Sequence, residues 1–177
     1  MEVAPVLIAL PILWATARRL PLTALAMLLI GLHGLVLMLG GAYSYARVPI
    51  GFDVQHLLGL ARNPYDRFGH LMQGFVPAIV IRELLIRRGG LHRGALLTGL
   101  VIACCLAISA TYELIEFGAA MLLGQGADEF LGTQGDSWDT QWDMLMCLLG
   151  AIAALALLSR LHDRQLADRG APRFRSP

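Results

Sequence analysis

The chain contains no lysine; all 14 of its basic residues are arginine. Charge of either sign is scarce. Charged residues make up 15% of the 177 positions, where soluble domains carry about 25%. Cysteine is limited to Cys104, Cys105 and Cys147, all inside apolar runs and without a CxxC pair. That excludes a disulfide framework, and we read the three as small buried hydrophobes. No basic patch with interleaved aromatics occurs, so nucleic acid is not an expected partner. There is no Ser-His-Asp order, phosphate loop or zinc-protease motif. What the chain does have is apolar bulk: 56% hydrophobic residues and a mean hydropathy of +0.62. The charges are clumped, with long uncharged runs between them. This is the pattern of a polytopic membrane protein, and the expected fold is an all-α bundle of about five spans in a lipid bilayer.

The five apolar segments run over residues 3–17, 21–42, 68–86, 95–115 and 142–158. A span takes about 20 apolar residues. The middle three meet that, the fifth falls a little short, and the first is clearly short. Pro21 suits the first turn of the second segment. Arg18, Arg19, Arg87, Arg88 and Arg93, with five arginines after Leu158, fall on one side if the spans alternate. Arg47, Arg62 and Arg67, with most of the acids, fall on the other. The positive-inside rule then puts the C-terminus in the cytoplasm. Residues 1–160 form the transmembrane domain in this reading. Residues 161–177 form a polar tail, which its composition marks as disordered. Between the second and third spans, "FDVQHLLGLARN" (52–63) predicts a short amphipathic helix at the interface. After the fourth span, "FGAAMLLG" either continues the helix or runs along the surface.

Three acidic clusters gather at the outer face in this topology. In "NPYDRFGH", Asn63 is a helix cap, Pro64 suits the first turn, and Asp66 suits a helix N-terminus. Arg67 follows, and His70 lies one turn deeper on the face of Asp66. In "TYELIEF", Glu113 and Glu116 share a helix face near what reads as a C-terminus. The dipole there is already negative, so capping does not explain them. In "LGTQGDSWDTQWDM", Asp136 and Asp139 read as a cap and its partner. Asp143 lies one turn deeper, and the three fall within an arc of about 60°. Trp138 and Trp142 suit an interfacial aromatic belt.

Ionisable groups inside spans point to function. Oxygen-rich clusters with one histidine suit a divalent metal, or general acid and base work. The expected catalytic set is Asp66, Arg67, His70, Glu113, Glu116, Asp136, Asp139 and Asp143. The expected metal ligands are His70, Glu113, Glu116, Asp139 and Asp143. The leading expectation is a metal-dependent hydrolase or transferase acting on a lipid-linked or envelope substrate. The alternatives are a carrier or sensor of protons or divalent cations, and a structural membrane partner whose acids only cap helices. Arg67 is also able to neutralise the acids without a metal. Other intramembrane polar groups read as structural. His33 packs between helices with a hydrogen-bonded neighbour, and Glu83 pairs with Arg87 at i, i+4.

"NPYDRFGHLMQGFVPAIVIREL", "TYELIEF" and "LGTQGDSWDTQWDM" together resemble the YjdF-like family of bacterial inner-membrane proteins, over roughly residues 2–158. The resemblance implies a helical multi-pass protein of that membrane and does not carry an activity. A looser likeness to VanZ-like membrane proteins rests on an acidic–basic pair and a histidine before one span.

Overall fold

The computed structural model describes residues 3–123 and 133–168. Among them the regular elements are helices. Four are long and apolar enough to cross a membrane: α2 (Ala24–Tyr43), α4 (Tyr65–Arg87), α5 (Ala95–Leu123) and α6 (Asp139–Asp168). Helix α1 (Ala4–Thr16) is apolar but short, with Trp14 almost fully exposed. Its 13 residues span about 20 Å against a hydrocarbon core of about 30 Å. A 3₁₀ turn (Tyr45–Arg47) and helix α3 (Pro49–Leu58) fill the loop between α2 and α4.

Helix ends differ from the sequence expectation where local chemistry decides them. Helix α2 starts at Ala24, because the Thr23 hydroxyl caps it by accepting from the Ala26 N–H, and Pro21 lies outside. Helix α3 runs over 49–58 and stops at Gly59, whose left-handed backbone (φ 62°) closes the last turn on the Gln55 carbonyl. Helix α5 runs on to Leu123, so "FGAAMLL" continues it. Glu113 and Glu116 therefore sit in a helix interior and not at its end. Helix α6 begins at Asp139 and runs to Asp168. Its 30 residues span about 45 Å. The tail is thus helical over 161–168, with His162 and Leu166 buried against the bundle.

Helix α4 is the hub, touching α2, α5 and α6. Its widest interface is with α6, where two glycines set the distance. A Cβ at Gly74 would overlap the Cys147 carbonyl, and one at Gly150 would overlap the Leu71 carbonyl. Small residues permit this backbone approach, which is how helices gain packing energy where lipid supplies no hydrophobic drive. Val76, Ile79, Ala151 and Ala154 continue the seam, and Val101 and Cys105 of α5 close it. Cys105 and Cys147 are buried, and Cys104 is half-buried. On the α2 side, the Tyr45 ring wedges against Gly40 and Gly69, and the Tyr65 hydroxyl donates to the Val36 carbonyl at 3.0 Å. The expected partner of His33 is absent among the described residues: its Nε2 has no hydrogen bond.

Candidate functional site

Charged groups gather at both ends of the α4–α6 pair, and the two gatherings differ in kind. The far end holds Arg82, Glu83, Arg87 and His162. Glu83 has no solvent exposure, yet its carboxylate is fully engaged. It accepts from the Thr23 N–H (3.0 and 3.1 Å), the Thr23 hydroxyl (2.7 Å), Arg87 (2.6 Å) and His162 Nε2 (3.2 Å). Arg82 meets His162 Nδ1 at 3.0 Å and Asp163 at 2.7 Å. A guanidinium only donates. His162 Nδ1 must therefore accept, its proton sits on Nε2, and the ring is neutral between the arginine and Glu83. Arg93 adds a second cation on Asp163 at 2.8 Å. This end is a closed network fastening α2, α4 and α6.

The other end is built from the starts of α4 and α6 and the flank of α5. Asn63 shapes the entry to α4. Its side-chain carbonyl accepts from the Tyr65 N–H, and its amide donates to the Val48 carbonyl before α3. Gln134 clasps the backbone of Asn63, accepting from its N–H at 3.0 Å and donating to its carbonyl at 3.1 Å. To do so Gln134 adopts a left-handed backbone, φ 50°, which is uncommon away from glycine. The loop before α6 is thereby pinned to the start of α4. Asp136 accepts from the Trp138 N–H at 2.9 Å and opens α6.

This scaffold brings most of the sequence-selected residues together. His70 is buried and lies 3.8 Å from Asp66, Glu113 and Asp143 alike. Its Nδ1 contacts the Gln73 side-chain oxygen at 3.0 Å. An amide oxygen accepts, so Nδ1 carries a proton, and Nε2 is the ring nitrogen that faces Asp66 and Asp143. Asp66, His70 and Asp143 each present a ligand atom, all within 4.8 Å of one another. Asp139 is held elsewhere, in an ion pair with Arg62. Arg62 also lies 3.6 Å from Asp66 and 3.7 Å from Asp136. Arg67 binds Asp136 at 2.6 Å and stacks its guanidinium over the Trp142 ring at 5.2 Å. Glu116 is half-buried on α5 and lies outside the Asp66–His70–Asp143 group.

The sequence reading put Asp66 on the face of His70 but counted Asp139, and not Asp66, among the metal ligands. The structure groups Asp66 with His70 and Asp143, and pairs Asp139 with Arg62, a residue absent from the expected set. Its signal was present: Arg62 precedes the cap of α4 and stands four residues before Asp66. Gln73 and Gln134 carried no signal, since uncharged amides are common at span ends.

Unlike the far end, this one is incompletely satisfied. Asp143 is 3% exposed, and its Oδ1 is buried without a hydrogen-bond partner; Glu113 Oε1 is in the same position. Five carboxylates (Asp66, Glu113, Asp136, Asp139, Asp143) face two guanidiniums (Arg62, Arg67). In a medium of low dielectric such an excess of like charge is costly.

A family model described as "predicted membrane protein (DUF2238)" matches residues 1–164. The chain belongs to this family. It is 58% identical over 171 residues to the inner membrane protein YjdF of Escherichia coli (strain K12). The match covers 96% of this chain and 81% of that relative. No solved structure matches. Sequence kinship and fold agree on an inner-membrane protein with several apolar helices, and the bilayer is its environment.

Proposed function

We propose that this chain holds a divalent cation between His70 Nε2, Asp66 and Asp143, and uses it as a Lewis acid for hydrolysis or group transfer on a lipid-linked substrate. The observation that carries the reading is the Asp143 carboxylate, whose Oδ1 has no hydrogen-bond partner, beside His70 Nε2. Two of the three donor separations are 3.8 Å and the third is no more than 4.8 Å. Geometry then puts a point about 2.2–2.5 Å from all three, the length of metal–ligand bonds. Gln73 supplies the outer partner that metal-binding histidines use to fix their tautomer. Two carboxylates and one imidazole suit hard or borderline divalent ions, with positions left for water and substrate. Glu113, 3.8 Å from His70 on its Nδ1 side, stands across the ring from the cation, where its charge strengthens the imidazole as a ligand.

The packing favours a one-sided site over a carrier. Directly beneath it, Gly74 and Gly150 bring the backbones of α4 and α6 into contact, and the seam below is filled by Ile79, Ala151 and Ala154. A purely structural role for the acids fits poorly with Asp143, which caps nothing. Arginine placement supports a periplasmic position for the site and a cytoplasmic C-terminus.

The test is metal content. Purified protein stripped with EDTA and dialysed against Mn²⁺, Mg²⁺ or Zn²⁺ is expected to retain about one ion per chain, as one three-ligand site requires. Asp143→Asn and His70→Gln should lose that ion, and Glu116→Gln should keep it. An ion content near zero for every metal, or full occupancy in Asp143→Asn, overturns the reading.

A further inference from the structure

Two grooves open beside the candidate cation site, and they share helix α6. One is polar, about 620 Å³, and is bordered by Gln134, Asp136, Ser137, Asp139 and Thr140. The other is apolar, about 390 Å³, and runs along Trp138, Gln141, Trp142 and Leu145. Residues 138, 142 and 145 repeat at helical spacing on one face, while 136, 139 and 143 form the neighbouring face. Trp138 is 65% exposed, Trp142 42% and Leu145 38%, on a helix apolar enough to span the bilayer. Arg67 stands where the grooves meet. It stacks on Trp142 of the apolar groove and binds Asp136 of the polar one. Its Nε–H is shielded from water and has no acceptor. Asp136 thus occupies only part of the fork, and one donor is left unpaired. Arginine forks match phosphate geometry, and a guanidinium on an aromatic face is oriented for it.

We propose that this junction seats a lipid phosphate: the phosphate on Arg67 in the polar groove, and the hydrocarbon chain along Trp138, Trp142 and Leu145. The proposal deepens the cation reading, and rests on it only for a second positive charge on the head group. Chain and head are bound by adjoining surfaces, so a ligand joining both should bind more tightly than either part alone. Entry is lateral, from the leaflet on the site side.

The experiment uses full-length protein in a neutral detergent, with Trp14→Phe and Trp138→Phe leaving Trp142 as the only indole. Dihexanoyl phosphatidic acid is titrated against Trp142 emission, alongside dihexanoylglycerol and inorganic phosphate. A saturable change is expected with phosphatidic acid, at least about tenfold tighter than with either partial ligand. Arg67→Gln should weaken it by about tenfold or more. Asp136→Asn, which releases the fork, should tighten it, an outcome that misfolding does not imitate. Equal affinity for dihexanoylglycerol or for inorganic phosphate overturns the proposal, as does an unchanged or weaker affinity in Asp136→Asn. Repeating the titration in EDTA, and measuring metal content in parallel on protein dialysed against Mn²⁺, Mg²⁺ or Zn²⁺, separates the two readings. Phosphatidic acid binding by protein that retains no ion after that dialysis sinks the cation site and leaves the lipid seat. A bound ion with no phosphatidic acid response does the reverse.

Discussion

Asp143 and Glu83 are both acids buried on or against the same helix pair, and they should answer substitution with opposite signs. Glu83 accepts from Thr23, Arg87 and His162. Glu83→Gln replaces an acceptor by a donor facing Arg87 and His162 Nε2–H. Breaking a buried pair from one side costs about 3–5 kcal/mol. The melting temperature in detergent should drop by roughly 10 °C, on the usual scale of about 2–4 °C per kcal/mol at this chain length. A melting temperature unchanged within a degree would show that the far-end network is not what fastens α2 to α4. Asp143 sits among Asp66 and Glu113 with a carboxylate oxygen that nothing satisfies. In EDTA, Asp143→Asn relieves that repulsion, and the variant should melt a few degrees above the parent, worth about 1 kcal/mol. Adding the ion should raise the parent and leave the variant where it was, because only the parent gains by mass action. If the parent melts higher even without metal, the carboxylate has a partner that is not a metal.

The elements hold the site through two glycines. His70 stands on α4 and Asp143 on α6, so the distance between those helices sets the distance between the two proposed ligands. Gly150→Ala puts a methyl group into the Leu71 carbonyl. Overpacking of this kind costs about 1–3 kcal/mol, and the helices must part to relieve it. Both stability and ion affinity should fall, the latter by about tenfold or more. Gly99→Ala on α5 is the matched control, since open space surrounds that position; a loss of equal size there would mean that helix packing is not the cause. This interface was not legible in the sequence, where Gly74 and Gly150 are two glycines among 19. What was legible follows from local rules. The apolar runs marked α2, α4, α5 and α6, because the bilayer leaves little choice but helix for such segments. His70 and Asp143 stood out because each lies one turn inside a helix start, where capping no longer excuses a polar group. The end of α5 was left between two readings, and the structure takes the one that continues the helix, as the lack of a stop signal in "FGAAMLL" allows. Asp66 beside His70 follows from i, i+4 spacing and was legible. The ion pair of Asp139 with Arg62 was not, because where Arg62 reaches is decided by tertiary structure.

At the scale of the whole molecule, the two ends of the bundle differ in charge as well as in satisfaction. The far end carries Arg18, Arg19, Arg87, Arg88, Arg93, Arg160 and Arg164 among the described residues. Arg88 donates to the Arg19 carbonyl and Arg87 to the Pro21 carbonyl, which ties the α1–α2 turn to that end. The site end carries Arg47, Arg62 and Arg67, the last two bound to acids. Arginine excess in short loops fixes orientation during insertion. The far end should therefore lie in the cytoplasm and the candidate site in the periplasm. A fluorescent protein fused after Pro177 should glow, and alkaline phosphatase fused there should be inactive. Alkaline phosphatase inserted at Gly59, the turn after α3, should be active. The inverse pattern at both positions would reverse the molecule. The carboxylates would then face the cytoplasm, and the lipid seat would have to draw from the inner leaflet. A membrane-impermeant maleimide gives an independent reading. In a chain whose Cys104, Cys105 and Cys147 are replaced by alanine, a cysteine at Ser137 should label in intact cells, and one at Arg93 should label only after lysis.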